Sequence, residues 1–319
     1  MTNLELIDVV IDKREVHSDD IVILDLVSKD GKPLPPFEAG AHVDVHITGG
    51  IIRQYSLAGD PAENSRYRLG ILNDPNSRGG SAAVFEMFLP GKTITISSPK
   101  NLFPLQQSAT KSILIAGGIG ITPILSMAYA LKAAGKPFEV HYCLRNESAG
   151  GFKQELRENF GENVHFHFNN ESGLTSMKPQ DVLQPVDANT HMYVCGPTGF
   201  LDWVLTQAAE VGYQSHQRHY EFFSAEVDTQ GDAFEVHCAK SQIDIKVLEG
   251  ESIATALKKA GIKVSMSCEE GVCGTCITDV LDGTPDHRDH FLTDEEKEDN
   301  DQIAVCCSRS LTPSITLDI

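Results

Sequence analysis

The 319-residue sequence predicts three successive domains: an antiparallel β-barrel, an α/β domain with a parallel sheet, and a small α+β domain. Three features predict it. Short segments of alternating apolar and polar residues, separated by Gly- and Pro-containing turns, fill the first hundred or so residues. Continuous apolar runs then alternate with helix-period segments, the pattern of buried parallel strands joined by crossover helices. The last stretch is rich in cysteine, with Cys268, Cys273 and Cys276 inside nine residues and the adjacent Cys306 and Cys307 beyond a 29-residue gap.

Residues 1–105 form the expected barrel, with strands at Ala41–Ile47, Tyr67–Leu72 and Thr93–Ser97. Two motifs stand out in it. In Arg53-Gln54-Tyr55-Ser56, strand alternation puts Arg53 and Tyr55 on one side, where a guanidinium can bind phosphate and a phenol can lie along a flat ring. Ser77-Arg78-Gly79-Gly80-Ser81 leads into a helix expected over Ala82–Phe88, and its glycines and capping serine offer amide N–H groups to a terminal phosphate. Taken singly, an R-x-Y-S string occurs by chance with Tyr55 as a core aromatic, and Ser81 reads equally as the N-cap of an ordinary turn.

Residues 106–226 form the expected parallel-sheet domain, with strands at Ser112–Ala116, Phe138–Leu144 and Met192–Cys195. Ile113–Leu131 is uncharged across 19 residues, long enough to span a bilayer, but Gly117, Gly118, Gly120 and Thr122-Pro123 interrupt any membrane helix there. They suit a strand, a tight turn and a new helix instead, with Thr122 as N-cap, Pro123 in the first turn and Gly135 as the stop. The three glycines let the backbone approach a pyrophosphate, although the spacing is not that of the dinucleotide fingerprint G-x-G-x-x-G. Cys195-Gly196-Pro197 places small residues where another strand opens into a loop, and ligands of parallel sheets bind at such carboxyl ends. Cys195 by itself reads as a small buried hydrophobe. Arg145 follows its strand and reads either as a contact to an adenosine or as a solvated loop residue.

A small polar stretch, 227–233, reads as a linker, and residues 234–319 form the last domain. Its strands are expected near Phe234–Ala239 and Gln242–Val247, with a helix over Ser252–Ala260 closed by Gly261. C-x4-C-x2-C with a distant fourth cysteine is the ligand spacing of plant-type [2Fe-2S] clusters. A structural zinc site made of two C-x2-C pairs would need a second pair, and only one exists. Disulfides are disfavoured because Glu5, Asp8 and Asp12 break up any signal peptide, which also points to a cytoplasmic protein. No histidine lies among the cysteines as a Rieske centre requires. On spacing alone, Cys306 and Cys307 both qualify as the fourth ligand.

The order of these motifs resembles the reductase components of Rieske-type oxygenase systems, the phthalate dioxygenase reductase and vanillate demethylase reductase family, over essentially the whole chain. The shared pattern is R-x-Y-S, S-R-G-G-S, G-G-I-G-I-T-P, C-G-P, a late E-x-F and a C-terminal ferredoxin. The resemblance implies an FMN barrel, an NADH-binding domain and a plant-type [2Fe-2S] ferredoxin of β-grasp type. It implies that Arg53 and Ser81 bind the FMN phosphate, with Gln54, Arg78, Gly79 and Gly80 beside them, that Tyr55 flanks the isoalloxazine, and that Ser56 hydrogen-bonds near N5. It further implies that Gly117, Gly118, Gly120, Thr122 and Pro123 line the pyrophosphate path, that Cys195, Gly196 and Pro197 sit by the nicotinamide, and that Glu221 and Phe223 lie near the flavin face. The family's Cys-Val-Ser-Arg aligns with Cys306-Cys307-Ser308-Arg309 and selects Cys306 as the ligand.

These readings converge on an NADH-dependent flavin and iron-sulfur reductase that divides a hydride's electron pair and serves a separate Rieske-type terminal oxygenase. NADH is expected over NADPH because no cluster of Lys and Arg follows Leu144 and Glu147 would repel a 2′-phosphate; FMN over FAD follows from the S-R-G-G-S resemblance. Another one-electron acceptor, a ferredoxin or a cytochrome, is the alternative within enzymes, and a non-catalytic redox sensor the alternative outside them. The net charge of −19 argues against a nucleic-acid partner. From Glu226 onward, 20 acidic residues face 8 basic ones, so this part carries −12 of the total and would steer a basic partner, although an acidic face can also serve solubility alone.

Overall fold

Alternation in the first hundred residues closes a sheet on itself. The computed structural model describes residues 5–75, 79–169, 175–225 and 227–319. Strands β1 (Leu6–Ser18), β2 (Ile21–Ser28), β3 (Ala41–His46), β4 (Ile52–Ser56), β5 (Arg66–Leu72), β6 (Thr93–Ser97) and β7 (Lys100–Asn101) build an antiparallel barrel, with helix α1 (Gly80–Met87) between β5 and β6 in the chain. Its order is β4-β3-β6-β1-β2-β5, with β7 on β3, and a bridge between Leu57 and Leu69 closes the ring from β4 to β5. Val9, Ile11, Leu24, Val43, Val45 and Ile71 fill its interior with essentially no exposure.

The parallel sheet follows in the same unit, which spans Met1–Phe223. Its elements are β8 (Lys111–Gly117), α2 (Ile121–Ala133), β9 (Phe138–Leu144), α3 (Lys153–Phe160), β10 (Val164–Phe168), α4 (Pro179–Val182), β11 (Thr190–Gly196), α5 (Thr198–Val211) and β12 (Arg218–Phe222). The order β10-β9-β8-β11-β12 winds outward in both directions from β8. The topological switch point, where a doubly wound sheet opens its ligand crevice, therefore lies between the carboxyl ends of β8 and β11. Ile124, Leu125 and Ala128 of α2 cover one face, and Leu201, Val204 and Ala208 of α5 the other.

Two caps differ from expectation. Helix α2 starts before Thr122: a 3-10 turn over Gly118–Gly120, with Gly118 at φ +55°, leads straight into it, so Gly120 takes the N-cap position. Thr122 lies in the first turn and donates from Oγ1 to the Ile119 carbonyl at 3.1 Å. Likewise Gly79, left-handed at φ +87°, is the N-cap of α1, and Ser81 sits inside the helix with its hydroxyl accepting from the Asp74 amide at 3.2 Å. The stop at Gly135 is as expected, at φ +65°.

The second unit, Ser224–Ile319, contains β13 (Phe234–Cys238), β14 (Ile243–Val247), α6 (Ile253–Lys259), β15 (Ile277–Asp282), β16 (Pro285–Asp286), α7 (Asp294–Asp299), β17 (Gln302–Ala304), β18 (Arg309–Ser310) and β19 (Ser314–Leu317). The order β14-β13-β19-β15-β17, with β13 parallel to β19, is a mixed sheet of β-grasp character, and α6 packs against it. Ser252 caps α6 by accepting from the Thr255 amide, and Gly261 ends it at φ +79°. Among the described residues no helix is long and apolar enough to cross a membrane.

Candidate functional site

The two barrel motifs meet. Arg53 on β4 lays its side chain across the start of α1, so closely that a Cβ on Gly80 would stand 2.8 Å from Nε and 3.0 Å from Cγ. A guanidinium beside glycine-flanked amides at a helix start is a fitting cradle for a phosphate. Arg78 of the same motif lies outside the described residues. Tyr55 packs at the edge of the barrel core, and burial pushes its hydroxyl up to about 12. Gln54, on the opposite side of the strand, donates to Asp44 Oδ1 at 2.9 Å, and Lys100 holds the other oxygen of that carboxylate at 2.9 Å. Gln54 thus belongs to a structural network on β3, away from the Arg53 face.

At the switch point, backbones approach so closely that only glycine fits. A Cβ on Gly120 would lie 2.6 Å from the Gly196 amide nitrogen, and one on Gly117 would lie 2.9 Å from Phe200 and 3.2 Å from Pro197. Glycines here bring the β8 turn flush against the end of β11, and the turn runs straight into the N-terminus of α2, the kind of helix start that suits a pyrophosphate. Thr122 and Pro123 are buried in the helix that leaves this turn. Gly70 of β5 packs on Thr122 and Phe152, seating the barrel beside the crevice. Arg68 reinforces that seat with bonds of 2.9 Å to Asp25 and 2.8 Å to Glu155.

Parallel register sets Cys195 on β11 directly beside Glu221 on β12. The Ser56 hydroxyl, reaching over from the barrel, donates to Glu221 Oε2 at 3.4 Å. Burial pushes the Glu221 carboxyl up to about 8 against the lowering effect of Ser56. Burial and then the neighbouring Glu221 push the Cys195 thiol well above its ordinary range, so it stays a neutral thiol. Phe223 packs against the adjoining core. The structure thus gathers Ser56, Cys195, Gly196 and Glu221 at one place, although nothing in their local sequence pairs Ser56 with a carboxylate 165 positions away. Arg145 stays apart, its side chain 77% exposed and 3.6 Å from Asp20.

In the second unit, the loop after α6 presents its sulfurs and amides together. Cys268, Cys273, Cys276 and Cys306 are all buried, with Cys268 in hydrogen-bonding contact with Cys273, and Cys276 with Cys306. The hydrogen bond with the Cys268 thiol lowers Cys273 below the ordinary thiol range. Amides of Glu270 and Val272 point at the Cys268 sulfur, that of Thr275 at Cys273 and that of Gly271 at Cys306. Such a ring of N–H donors suits the sulfurs of an iron-sulfur cluster. Gly271 and Gly274, at φ +73° and +69°, bend the loop, and the Phe291 ring fills the space a Gly274 side chain would need. Cys306 and Cys307 lie in a turn after β17, so strand alternation does not separate them. Cys306 makes the contact with Cys276, whereas the Cys307 thiol points to the Ala304 carbonyl at 3.7 Å and lies beneath Gly271.

Arg309 is a residue whose role the motif hid. Only 2% exposed, it donates to the carbonyls of Glu251, Gly231 and Asp232 and stacks over Phe234 at 5.1 Å, pinning the residues that precede β13 to the loop before α6. A charged side chain directly after Cys-Cys-Ser was the available signal.

Residues 236–311 match the model of the 2Fe-2S iron-sulfur cluster binding domain, and residues 94–217 that of the N-terminal domain of dimethylamine monooxygenase subunit DmmA-like proteins. The chain is 46% identical to the vanillate O-demethylase oxidoreductase of Pseudomonas sp. (strain HR199 / DSM 7063), over 98% of this chain and 100% of the relative. Among solved structures it is similar to phthalate dioxygenase reductase, described as a modular structure for electron transfer from pyridine nucleotides to [2Fe-2S], with a TM-score of 0.77 and 34% identity over 98% of both chains. It is also similar to part of an intact type IV self-sufficient cytochrome P450 monooxygenase, with a TM-score of 0.85 and 33% identity over 98% of this chain and 41% of that one.

Proposed function

The chain belongs to the vanillate O-demethylase oxidoreductase family of oxygenase reductase components, and we propose that it passes electrons from NADH through FMN and a [2Fe-2S] cluster to a separate Rieske-type oxygenase. Residues 1–105 would hold FMN, 106–226 NADH and 234–319 the cluster, with 227–233 as linker. When bound, the flavin takes up the hydride's electron pair and the cluster carries electrons singly. The observation that carries this reading is the bond from Ser56 to Glu221, which joins the barrel's cradle to the nucleotide crevice at one point. Hydride transfer needs that adjacency.

The residues supply binding and exclusion. Arg53, with Gly79, Gly80 and Ser81, holds a phosphate at the start of α1, and Gly117, Gly118 and Gly120 admit a pyrophosphate to the β8–β11 mouth. Glu221, kept neutral below about pH 8, spares an anionic nucleotide from meeting a second negative charge in the crevice. Cys195 and Gly196 keep the floor small. Cys268, Cys273, Cys276 and Cys306 are the cluster ligands. Among the described residues, the arginines between β9 and β10 are countered, Arg145 by Asp20 and Arg157 by Glu147, which favours a nucleotide without a 2′-phosphate.

Anaerobic titration with NADH, followed by chromatography of the released flavin, tests the reading. It expects FMN, bleaching of flavin and cluster absorbance by NADH in preference to NADPH, and turnover with a Rieske-type oxygenase. Released FAD, or cluster absorbance that NADH leaves untouched, would refute it. The likeness to a self-sufficient cytochrome P450 monooxygenase favours a haem oxygenase as the second reading of the acceptor, and parallel assays with both oxygenase types separate the two.

A further inference from the structure

Strand β10 brings a second set of metal-type ligands together, on the face of the parallel sheet that α5 covers. Alternation in Val164-His165-Phe166-His167-Phe168 turns His165 and His167 to the same side, while Phe166 and Phe168 pack on the opposite core. Parallel register sets His165 beside His141 of β9, and Glu139 precedes His141 on the same side of that strand. One ligand atom from each of Glu139, His141 and His165 lies within 4.8 Å of the others.

The geometry assigns to Glu139, His141 and His165 a binding site for a divalent ion of the zinc class. Two imidazoles and one carboxylate, with remaining positions left for water, are a zinc donor set. His141 is 5% exposed, and its Nε2 is buried without a hydrogen-bond partner. Glu139 Oε2 faces that nitrogen at 3.4 Å, an ion-pair distance without hydrogen-bond geometry. The other ring nitrogen, Nδ1, is 3.0 Å from His167 Nε2. If His141 donates there, its lone pair is fixed on Nε2, the arrangement that orients metal-bound histidines. Lys111 holds Glu139 Oε1 at 2.7 Å, leaving Oε2 for the ion. His165 stacks on His141 with ring centres 4.9 Å apart and is exposed, so it is free to adjust. Ligand atoms on a tetrahedral zinc with bonds of about 2.1 Å stand about 3.4 Å apart, so the three atoms have to close by little more than about 1 Å. Burial and then the neighbouring His167 and His165 lower His141 below the ordinary histidine range, which favours the neutral ring that a metal takes. A metal here would tie the edge strand β10 to β9.

Equilibrium dialysis of the flavin- and cluster-loaded protein against zinc, with metals counted by mass spectrometry, tests the assignment. One zinc per chain is expected beyond the cluster iron. His165→Ala and His141→Gln should each weaken binding by about tenfold or more, and His167→Ala by a comparable factor through loss of its orienting bond. His237→Ala, at the surface pair of His237 with Asp244, should bind as the parent does. Because His165 is exposed, its variant should fold and oxidise NADH at the parent rate even if His141→Gln does not fold. Parent-like zinc binding by His165→Ala, or an equal loss in His237→Ala, would overturn the site.

Discussion

Replacing Gly120 by Ala measures how tightly the nucleotide crevice is built. The residue has φ −60°, which alanine adopts without strain, so the whole effect comes from space. The added methyl would sit 2.6 Å from the Gly196 amide nitrogen and closer still to the Cys195 carbonyl. Ordinary contact begins near 3.4 Å. Every obstructing atom is backbone, so no rotamer change relieves the clash, and the β8 turn has to move off β11 by close to an ångström. Overpacking of this kind costs about 3 kcal/mol, at the upper end of the usual range. For a unit of this size that lowers the melting temperature by about 6–12 °C. The same displacement opens the amides that would face the pyrophosphate, so KM for NADH should rise together with the loss of stability. Gly199→Ala is the control: Gly199 lies in α5 with no heavy atom within 4 Å of its added methyl, and alanine there should be neutral or stabilising by up to about 1 kcal/mol. Thermal melts of the flavin-loaded protein and NADH kinetics read both variants. A Gly120→Ala protein that melts within about 2 °C of the parent, with unchanged KM, would refute the close-approach argument.

Cys306→Ser should abolish the cluster's visible absorbance and bound iron, whereas Cys307→Ser should keep both; iron analysis and electron paramagnetic resonance of the reduced protein decide between them. Glu221 should make the flavin-free protein less stable as pH rises from 4.5 towards about 8, because over that interval the folded carboxyl holds a proton that the unfolded one has released. The full displacement corresponds to an upper bound of about 5 kcal/mol, reduced by the residue's partial exposure, and Glu221→Gln should flatten the slope in denaturant melts across that range. Electron delivery to the oxygenase should slow as salt rises if the 20 acidic and 8 basic residues from Glu226 onward guide docking, and stopped-flow rates independent of ionic strength would exclude that role.

Chemistry encoded in local spacing was legible before any fold was known. Three cysteines in nine residues point to an iron-sulfur ligand set, in agreement with the match to a 2Fe-2S cluster binding domain, because groups that meet such a ligand are near one another along the chain; the glycines after an apolar strand and the guanidinium two positions from a tyrosine point to a ligand only in combination. Strand existence followed from alternation and apolar runs for the same reason. Cap positions were less legible: a glycine turn started α2 ahead of Thr122, and Gly79 displaced Ser81 as the cap of α1, since both depend on backbone angles that residue type only biases.

Tertiary structure decided what no spacing encodes. Ser56 finds Glu221 because barrel closure and the β11–β12 register bring them together, and Gln54 turns to Asp44 because the pleat sends it away from Arg53. Cys306 is distinguished from Cys307 by a turn after β17, in which one sulfur meets Cys276 and the other goes under Gly271. The trio Glu139, His141 and His165 exists only through the pairing of β9 with β10. Sequence determines which chemical groups are available and the local geometry they prefer; sheet order and register determine which of them touch, because contacts between distant segments are set by the burial of whole faces.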